Sequence, residues 1–255
     1  MNMKKAANKS SSSANFYDDV SEFYEKMIDL EKNLQLRVKA YKNIFEQVGP
    51  AADLGCGIGL DSIALAMNGH DVTAFDISPK MIDETKKNAV KFGLTIKTEV
   101  SPLESIPAAY KNNFMNVVCV GNTIAHLNST QLKRVLKKIY GLLKPGGKLF
   151  LHILNYETIK KQNKRVNNIA VRDGMTIIRF YDFFEQHLNF NILSFKVGEP
   201  KNFQLVTTRH YPHTKNEISL LLKFAGFNRI KFSKNFEGEN FNLLDSKDMF
   251  ITATK

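Results

Sequence analysis

The spacing of apolar residues changes several times along the chain, and each change marks an element. Val48 to Leu54 can supply a buried strand, and Ile58, Ile63, Ala64, Ala66 and Met67 then recur as on a helix packed against a sheet. The second strand is Asp71 to Phe75. A helix follows Pro79 through Met81, Ile82, Ala89 and Val90, with Gly93 as its stop. Strands are predicted over Leu94–Val100 and Met115–Val120. A helix capped by Ser129 or Thr130 presents Leu132, Val135, Leu136, Ile139, Leu142 and Leu143. Pro145-Gly146-Gly147 reads as a turn before a fifth strand, Lys148–Leu154. Such alternation implies a parallel sheet covered by helices on both sides.

Two flanking regions read differently. Before the first strand, Phe16, Val20, Phe23, Tyr24, Met27 and Ile28 recur at helical spacing, as do Leu34, Val38, Tyr41, Ile44 and Phe45. Residues 156–210 instead carry short alternating runs, Met175–Phe184, Leu188–Lys196 and Phe203–His210, which predict an antiparallel addition. A helix over Asn216–Phe224, stopped by Gly226, and strands over Asn228–Lys234 and Asp248–Thr254 complete the pattern. The expected fold is α/β, a doubly wound, seven-stranded, mostly parallel sheet.

The candidate chemistry centres on Asp53-Leu54-Gly55-Cys56-Gly57-Ile58-Gly59, between the first strand and its helix. Three alternate glycines let the backbone turn sharply and approach a ligand. Asp76 ends the second strand, about 20 residues after the turn, where an acid accepts ribose hydroxyls. The third glycine falls at 59, not at the position a dinucleotide fingerprint requires, which is Leu60. Asp61, in the first helical turn, is unfavourable beside a pyrophosphate. S-adenosylmethionine has no phosphate, and its ammonium and sulfonium tolerate carboxylates. It is therefore favoured over a dinucleotide.

With these pieces in hand the chain resembles the class I S-adenosylmethionine-dependent methyltransferases. The resemblance rests on the glycine turn, Phe75-Asp76-Ile77-Ser78, Val117-Val118-Cys119-Val120-Gly121-Asn122 and Leu143-Lys144-Pro145-Gly146-Gly147-Lys148-Leu149. Within that family Gly121-Asn122-Thr123-Ile124-Ala125-His126-Leu127, Asn155-Tyr156 and Tyr211-Pro212-His213 are similar to the glycine and sarcosine N-methyltransferases. The resemblance implies a Rossmann-like methyltransferase fold over residues 15–255, with a helical lid over 15–48 and a cap insertion over 156–210. Cofactor contacts are implied for Tyr17, Asp53, Gly55, Cys56, Gly57, Asp76, Ile77, Ser101, Leu103, Gly121 and Asn122. Ser101 stands where many relatives place an acid near the adenine. His126, Asn155, Tyr156 and Tyr211 are implied on the acceptor side. One of Arg172, Arg179 and Arg209 is a candidate to fork onto a substrate carboxylate.

Composition narrows this further. The chain has 255 residues, 43% of them hydrophobic, enough for one sizeable core. Residues 1–14 read as a disordered tail, with lysines and serines and no apolar stretch. No apolar run reaches the ~18 residues of a membrane span. Cys56 and Cys119 read as reduced thiols of a cytoplasmic protein, and no metal site is expected. The net charge of +11 raises nucleic acid as a partner, but the lysines are spread over the tail and helix surfaces, which favours a solvated surface. The expected activity is methylation of a small molecule, an amine such as glycine or a methylated glycine. The alternatives are methylation of RNA, and a non-enzymatic protein that binds the cofactor. The oligomeric state is not legible.

Overall fold

The computed structural model describes residues 16–18 and 30–255. The expected tail and most of the first helix, including Tyr24, lie outside those residues.

Seven strands form the central sheet: β1 (Pro50–Leu54), β2 (Asp71–Asp76), β3 (Lys97–Val100), β4 (Phe114–Cys119), β5 (Leu143–Leu154), β10 (Asn228–Ser233) and β11 (Asp248–Thr254). Their order is β10-β11-β5-β4-β1-β2-β3. β11 is antiparallel to both of its neighbours, and the remaining pairs are parallel. The chain starts at β1, builds outward to β3, then returns to the other side at β4. Ligands bind outside the carboxyl ends of the strands at such a reversal.

Each helix follows from its pattern. α1 (Leu30–Ile44) turns Leu34 and Tyr41 onto α2 (Leu60–Met67), which packs Ile63, Ala64 and Leu65 against the sheet. α3 (Pro79–Lys91) starts on Ser78, whose side chain accepts the Met81 N–H. α4 (Ser129–Leu142) opens on a reciprocal Asn128–Gln131 cap, one residue before the expected Ser129, and buries Leu132, Val135, Leu136 and Ile139. α6 (Lys215–Ala225) is capped by Thr214 and stopped by Gly226, whose φ of 110° suits glycine.

Two boundaries differ from expectation. β3 starts at Lys97, not Leu94, because the helix before it unwinds through Gly93 into the connection. The Pro145–Gly147 stretch is an irregularity inside β5, not a turn ahead of it. The strand already pairs Leu143 with Phe114, and the register shifts before Lys148 meets Asn116.

The segment after β5 begins with a short helix, α5 (Tyr156–Lys161), and then forms an antiparallel sheet of four strands. These are β6 (Val166–Arg172), β7 (Met175–Phe183), β8 (Leu188–Lys196) and β9 (Phe203–His210). Sequence patterning gave three of the four. The missed strand, β6, is a sheet edge with no buried residue, so its apolar positions do not alternate. One face of this sheet packs Ile177, Ile192 and Val206 against Phe16, Ile58 and Met81. The N-terminal segment, the β1 turn and the small sheet thus meet at the carboxyl end of the large one.

Candidate active site

The turn after β1 is fixed by its backbone. Gly55 and Cys56 both donate to the Phe75 carbonyl, at 2.8 and 3.0 Å, which ties the turn to β2. Gly55, Gly57 and Gly59 have φ of 76°, 55° and 87°. At two of them packing also excludes a side chain. A Cβ on Gly55 would lie 2.5 Å from Thr123 Cγ2, and one on Gly59 would lie 2.9 Å from Thr85 Cγ2. Asp76 closes the arrangement, accepting the Gly57 N–H on Oδ2 and the Ser78 N–H on Oδ1, each at 2.9 Å. Burial pushes the Asp76 carboxyl upward, and those backbone donors pull against the shift.

Around this turn lies a cavity of about 370 Å³, within the ~300–1,000 Å³ of small-ligand sites. Gly55, Cys56, Gly57, Asp76, Ile77, Ser101, Leu103, Gly121, Tyr17 and His126 line it. Those expected positions are therefore brought together from five separate stretches of chain. Three further charged residues stand on the wall, and of these only Asp61 was expected near the ligand. Asp61, from the first turn of α2, is flanked by Arg37 and by Tyr41, whose hydroxyl donates to its Oδ1. Arg37 Nε lies 2.9 Å from the same oxygen, at an angle too poor for a hydrogen bond, and its guanidinium covers Phe236 at 3.8 Å. Glu104 lines the cavity beside Leu103, so an acid does follow β3, three residues later than Ser101. Helical spacing from Leu34 to Tyr41, and the first-turn place of Asp61, were the available signals for the first pair.

Several expected residues stand elsewhere. Asp53 is 1% exposed beneath the turn and accepts Ser62 Oγ at 2.6 Å. Burial, then repulsion from Asp61, hold its carboxyl well above the usual range. It supports the turn from below and does not line the cavity. Asn155 caps α5, and its amide donates to Leu243 O, Ser246 O and Thr158 Oγ1, tying the 243–246 loop to the helix. All its donors are used within the protein. Tyr211 gives its backbone N–H to Ala125 O at 2.7 Å, and His213 sits between Leu127 O and Glu217 Oε2, so both fasten α6 to the loop after β4. None of Arg172, Arg179 and Arg209 lines the cavity; Arg37 does.

Behind the cavity wall runs a buried polar chain. Asn122, held at φ 71°, accepts the Leu154 N–H on Oδ1 and donates from Nδ2 to the Tyr156 hydroxyl at 2.7 Å. Tyr156 lies 2.9 Å from His210 Nδ1. Its hydroxyl accepts from Asn122 and so donates to His210, which leaves the ring proton on Nε2. His210 meets His126 edge to face, with centroids 4.7 Å apart. His126 reaches Tyr17 Oη at 2.9 Å and Thr208 Oγ1 at 3.4 Å. Burial lowers the His126 pKa to about 4 and that of His210 well below the usual value, the latter with a further push from His126. Both rings are neutral at pH 7. Burial also raises Tyr156 well above the ordinary phenol.

Among the described residues, no group of three or more His, Cys, Asp or Glu is placed to hold a metal ion, and no helix is long and apolar enough to cross a membrane.

Comparison with known proteins agrees with this geometry. Residues 51–147 match a methyltransferase domain family. A ubiquinone biosynthesis O-methyltransferase of Xanthomonas euvesicatoria is 33% identical over 103 residues, 40% of this chain and 42% of that enzyme. The match thus spans about two fifths of that relative's length. A glycine/sarcosine N-methyltransferase of Aphanothece halophytica is 27% identical over 220 residues, covering 80% of this chain and 74% of that one. The CcbJ methyltransferase of Streptomyces caelestis superposes with a TM-score of 0.81 at 16% identity, over 95% of this chain and 98% of that one. At that identity the likeness shows the fold.

Proposed function

We propose that this chain, which carries a methyltransferase domain over residues 51–147, transfers a methyl group from S-adenosylmethionine to a small amine of the glycine or N-methylglycine kind. The observation that carries the first half is the Asp76–Gly57 arrangement. A carboxylate fixed by backbone donors faces a cavity whose nearest loop alternates glycines with Cys56 and Ile58, and a second carboxylate, Asp61, stands on the wall. Two acids and no phosphate cradle suit a cationic nucleoside.

In this reading Asp76 accepts the ribose hydroxyls. Gly55, Cys56 and Gly57 supply close backbone, while Ile77 and Leu103 bracket the base. Ser101 or Glu104 meets the exocyclic amine. Asp61 and the Gly121 carbonyl face the ammonium, and Arg37 offers a cation to a carboxylate. When bound, the cofactor supplies a methyl group on a positively charged sulfur that departs as a neutral thioether. The protein's share is then alignment and exclusion of water. An amine acceptor must also arrive without its proton. His126 is neutral and on the wall; burial makes it too weak a base to hold that proton, so with Tyr17 it serves as a hydrogen-bond partner that orients an acceptor already in its free-amine form. The amine assignment is supported by the N-methyltransferase relative that matches 80% of the chain. The site of action is the cytoplasm, where the buried free thiols Cys56 and Cys119 stay reduced.

The test is labelled S-adenosylmethionine offered with glycine, sarcosine, other amines, carboxylic acids, phenols and transfer RNA. Label on glycine or sarcosine is expected. Label on a phenol or on RNA alone would overturn the amine reading and leave methyl transfer standing. Tight cofactor binding with no labelled acceptor would identify a binding protein.

A further inference from the structure

The small antiparallel sheet has two faces, and only one of them is used by the fold described above. Ile177, Ile192 and Val206 point inward and are buried. On the opposite face the register brings apolar residues into two rows. Ile169, Ile178, Leu193 and Leu205 are consecutive partners across β6, β7, β8 and β9. Val171, Thr176, Phe195 and Phe203 form the neighbouring row. The outermost members are open to solvent: Ile169 is 64% exposed, Val171 63%, Phe203 48% and Leu205 40%. The four central members are half-buried.

We propose that this outer face is the contact surface of a homodimer, with the same face of a second copy as its occupant. Three features favour that occupant. The two rows contain no charged side chain, so they need no oppositely charged partner. An uncharged apolar patch is complementary to itself under a two-fold rotation. The open apolar area is on the order of 500 Å², at the upper end for the largest patch on a free monomer. It is also more than half of the ~800 Å² each partner contributes to a standard interface. Finally, the first 15 residues of the sequence offer no apolar strip to match this face. They are lysines, serines and asparagines around a few alanines and methionines, with no apolar run to lay along two rows. The patch also has a boundary. Further along the same face, Arg165 pairs with Asp182 at 2.5 Å, Asn191 donates to Asp182 at 2.8 Å, and Thr207 donates to Asn191 at 2.7 Å. That satisfied polar corner gives the contact an edge and fixes its extent.

The proposal fixes a salt dependence as well. Each copy carries a net charge of +11, so two copies repel at a distance while the contact itself is apolar. Added salt screens that repulsion and strengthens the dimer.

The experiment is sedimentation equilibrium of the full chain across micromolar to submillimolar concentrations, at low and high salt. The comparison is with the double variant Ile169→Lys/Leu205→Lys and, separately, with Phe203→Ser. Far-ultraviolet dichroism and thermal melting establish that each variant is folded. The wild type is expected at twice the chain mass, more completely so at high salt. Each folded variant should dimerise about tenfold more weakly or worse. If one variant does not fold, the other decides. A wild type that stays monomeric throughout overturns the proposal. So does a dimer unaffected by the variants, since its contact then lies elsewhere, and so does a dimer that added salt dissociates.

Discussion

The two walls of the cavity titrate in opposite directions. The wall made by β1, β2 and their turn carries Asp76, with Asp53 beneath it, and burial holds both above the ordinary carboxylate range. The wall made by the loop after β4 and the small sheet is imidazole, and burial holds His126 and His210 below theirs. Both walls favour neutral groups, but the first gains stability on acidification and the second loses it. The contrast separates two tasks, holding the cofactor on one side and orienting a neutral acceptor on the other.

The most severe way to break the acidic wall is Gly55→Ala. Its φ is 76° and its Cβ would strike Thr123. Strain from the left-handed backbone and overpacking together should cost roughly 4 kcal/mol. Urea unfolding checks this, and a variant as stable as wild type would show that Thr123 yields freely.

The imidazole wall is broken by pH. The folded pKa of His126 is about 4, against ~6.5 when unfolded. Between these values the unfolded chain binds more protons, so His126 lowers stability progressively as pH falls from 6.5 to 4, by about 3 kcal/mol in all. The raised carboxylates work the other way, since their cost at neutral pH is relieved as pH falls through their folded values. Unfolding free energies of wild type and His126→Gln from pH 7.5 to 4.5 isolate the histidine. The variant should show the shallower acid decline, and parallel curves would remove His126 from the account.

A smaller effect sharpens the cofactor assignment. Asp76→Ala should weaken S-adenosylmethionine binding by about 1.5–3 kcal/mol, the scale of a charged hydrogen bond. Calorimetry on the folded variant gives the number, and unchanged affinity would move the ribose contact elsewhere. Smallest of the four, Tyr156→Phe leaves Asn122 Nδ2 and His210 Nδ1 without their shared hydroxyl. It should cost about 1–2 kcal/mol of stability and leave cofactor affinity nearly intact, read by urea unfolding and titration together.

The same division decides what the sequence made legible. The acidic wall is local. Gly57 meets Asp76 across 19 positions, within one strand–helix–strand unit, so spacing alone located the pair. The imidazole wall is assembled from afar. Tyr17 meets His126 across 109 positions and Asn122 nears His210 across 88, and no spacing rule connects them. His126 was expected beside the acceptor and lines the cavity, whereas His210 and Thr208 were hidden inside a strand that patterning explained as packing. Asn155 shows how one position carries two signals. Its placement at a strand end suggested a ligand contact, whereas Asn155-Tyr156-Glu157-Thr158 is also the start signal of a short helix, and that is its role in the fold. None of the three candidate arginines lines the cavity, and residue type alone does not report which wall a strand residue faces. Arg37, on a helix read only for its apolar positions, lines the cavity instead.

The long reach of the N-terminal segment also has a consequence for biosynthesis. Phe16 leaves the ribosome well ahead of Ile177, Ile192 and Val206, yet it is buried with them. At ~5–20 residues per second, the last of those strands emerges roughly 10–40 s after Phe16. Throughout that interval the central strands can begin to form, while Phe16 and Tyr17 have only part of their docking surface, Ile58, Met81 and His126. The packing of Phe16 is therefore completed only once β9 has emerged, and β10 and β11 then complete the large sheet.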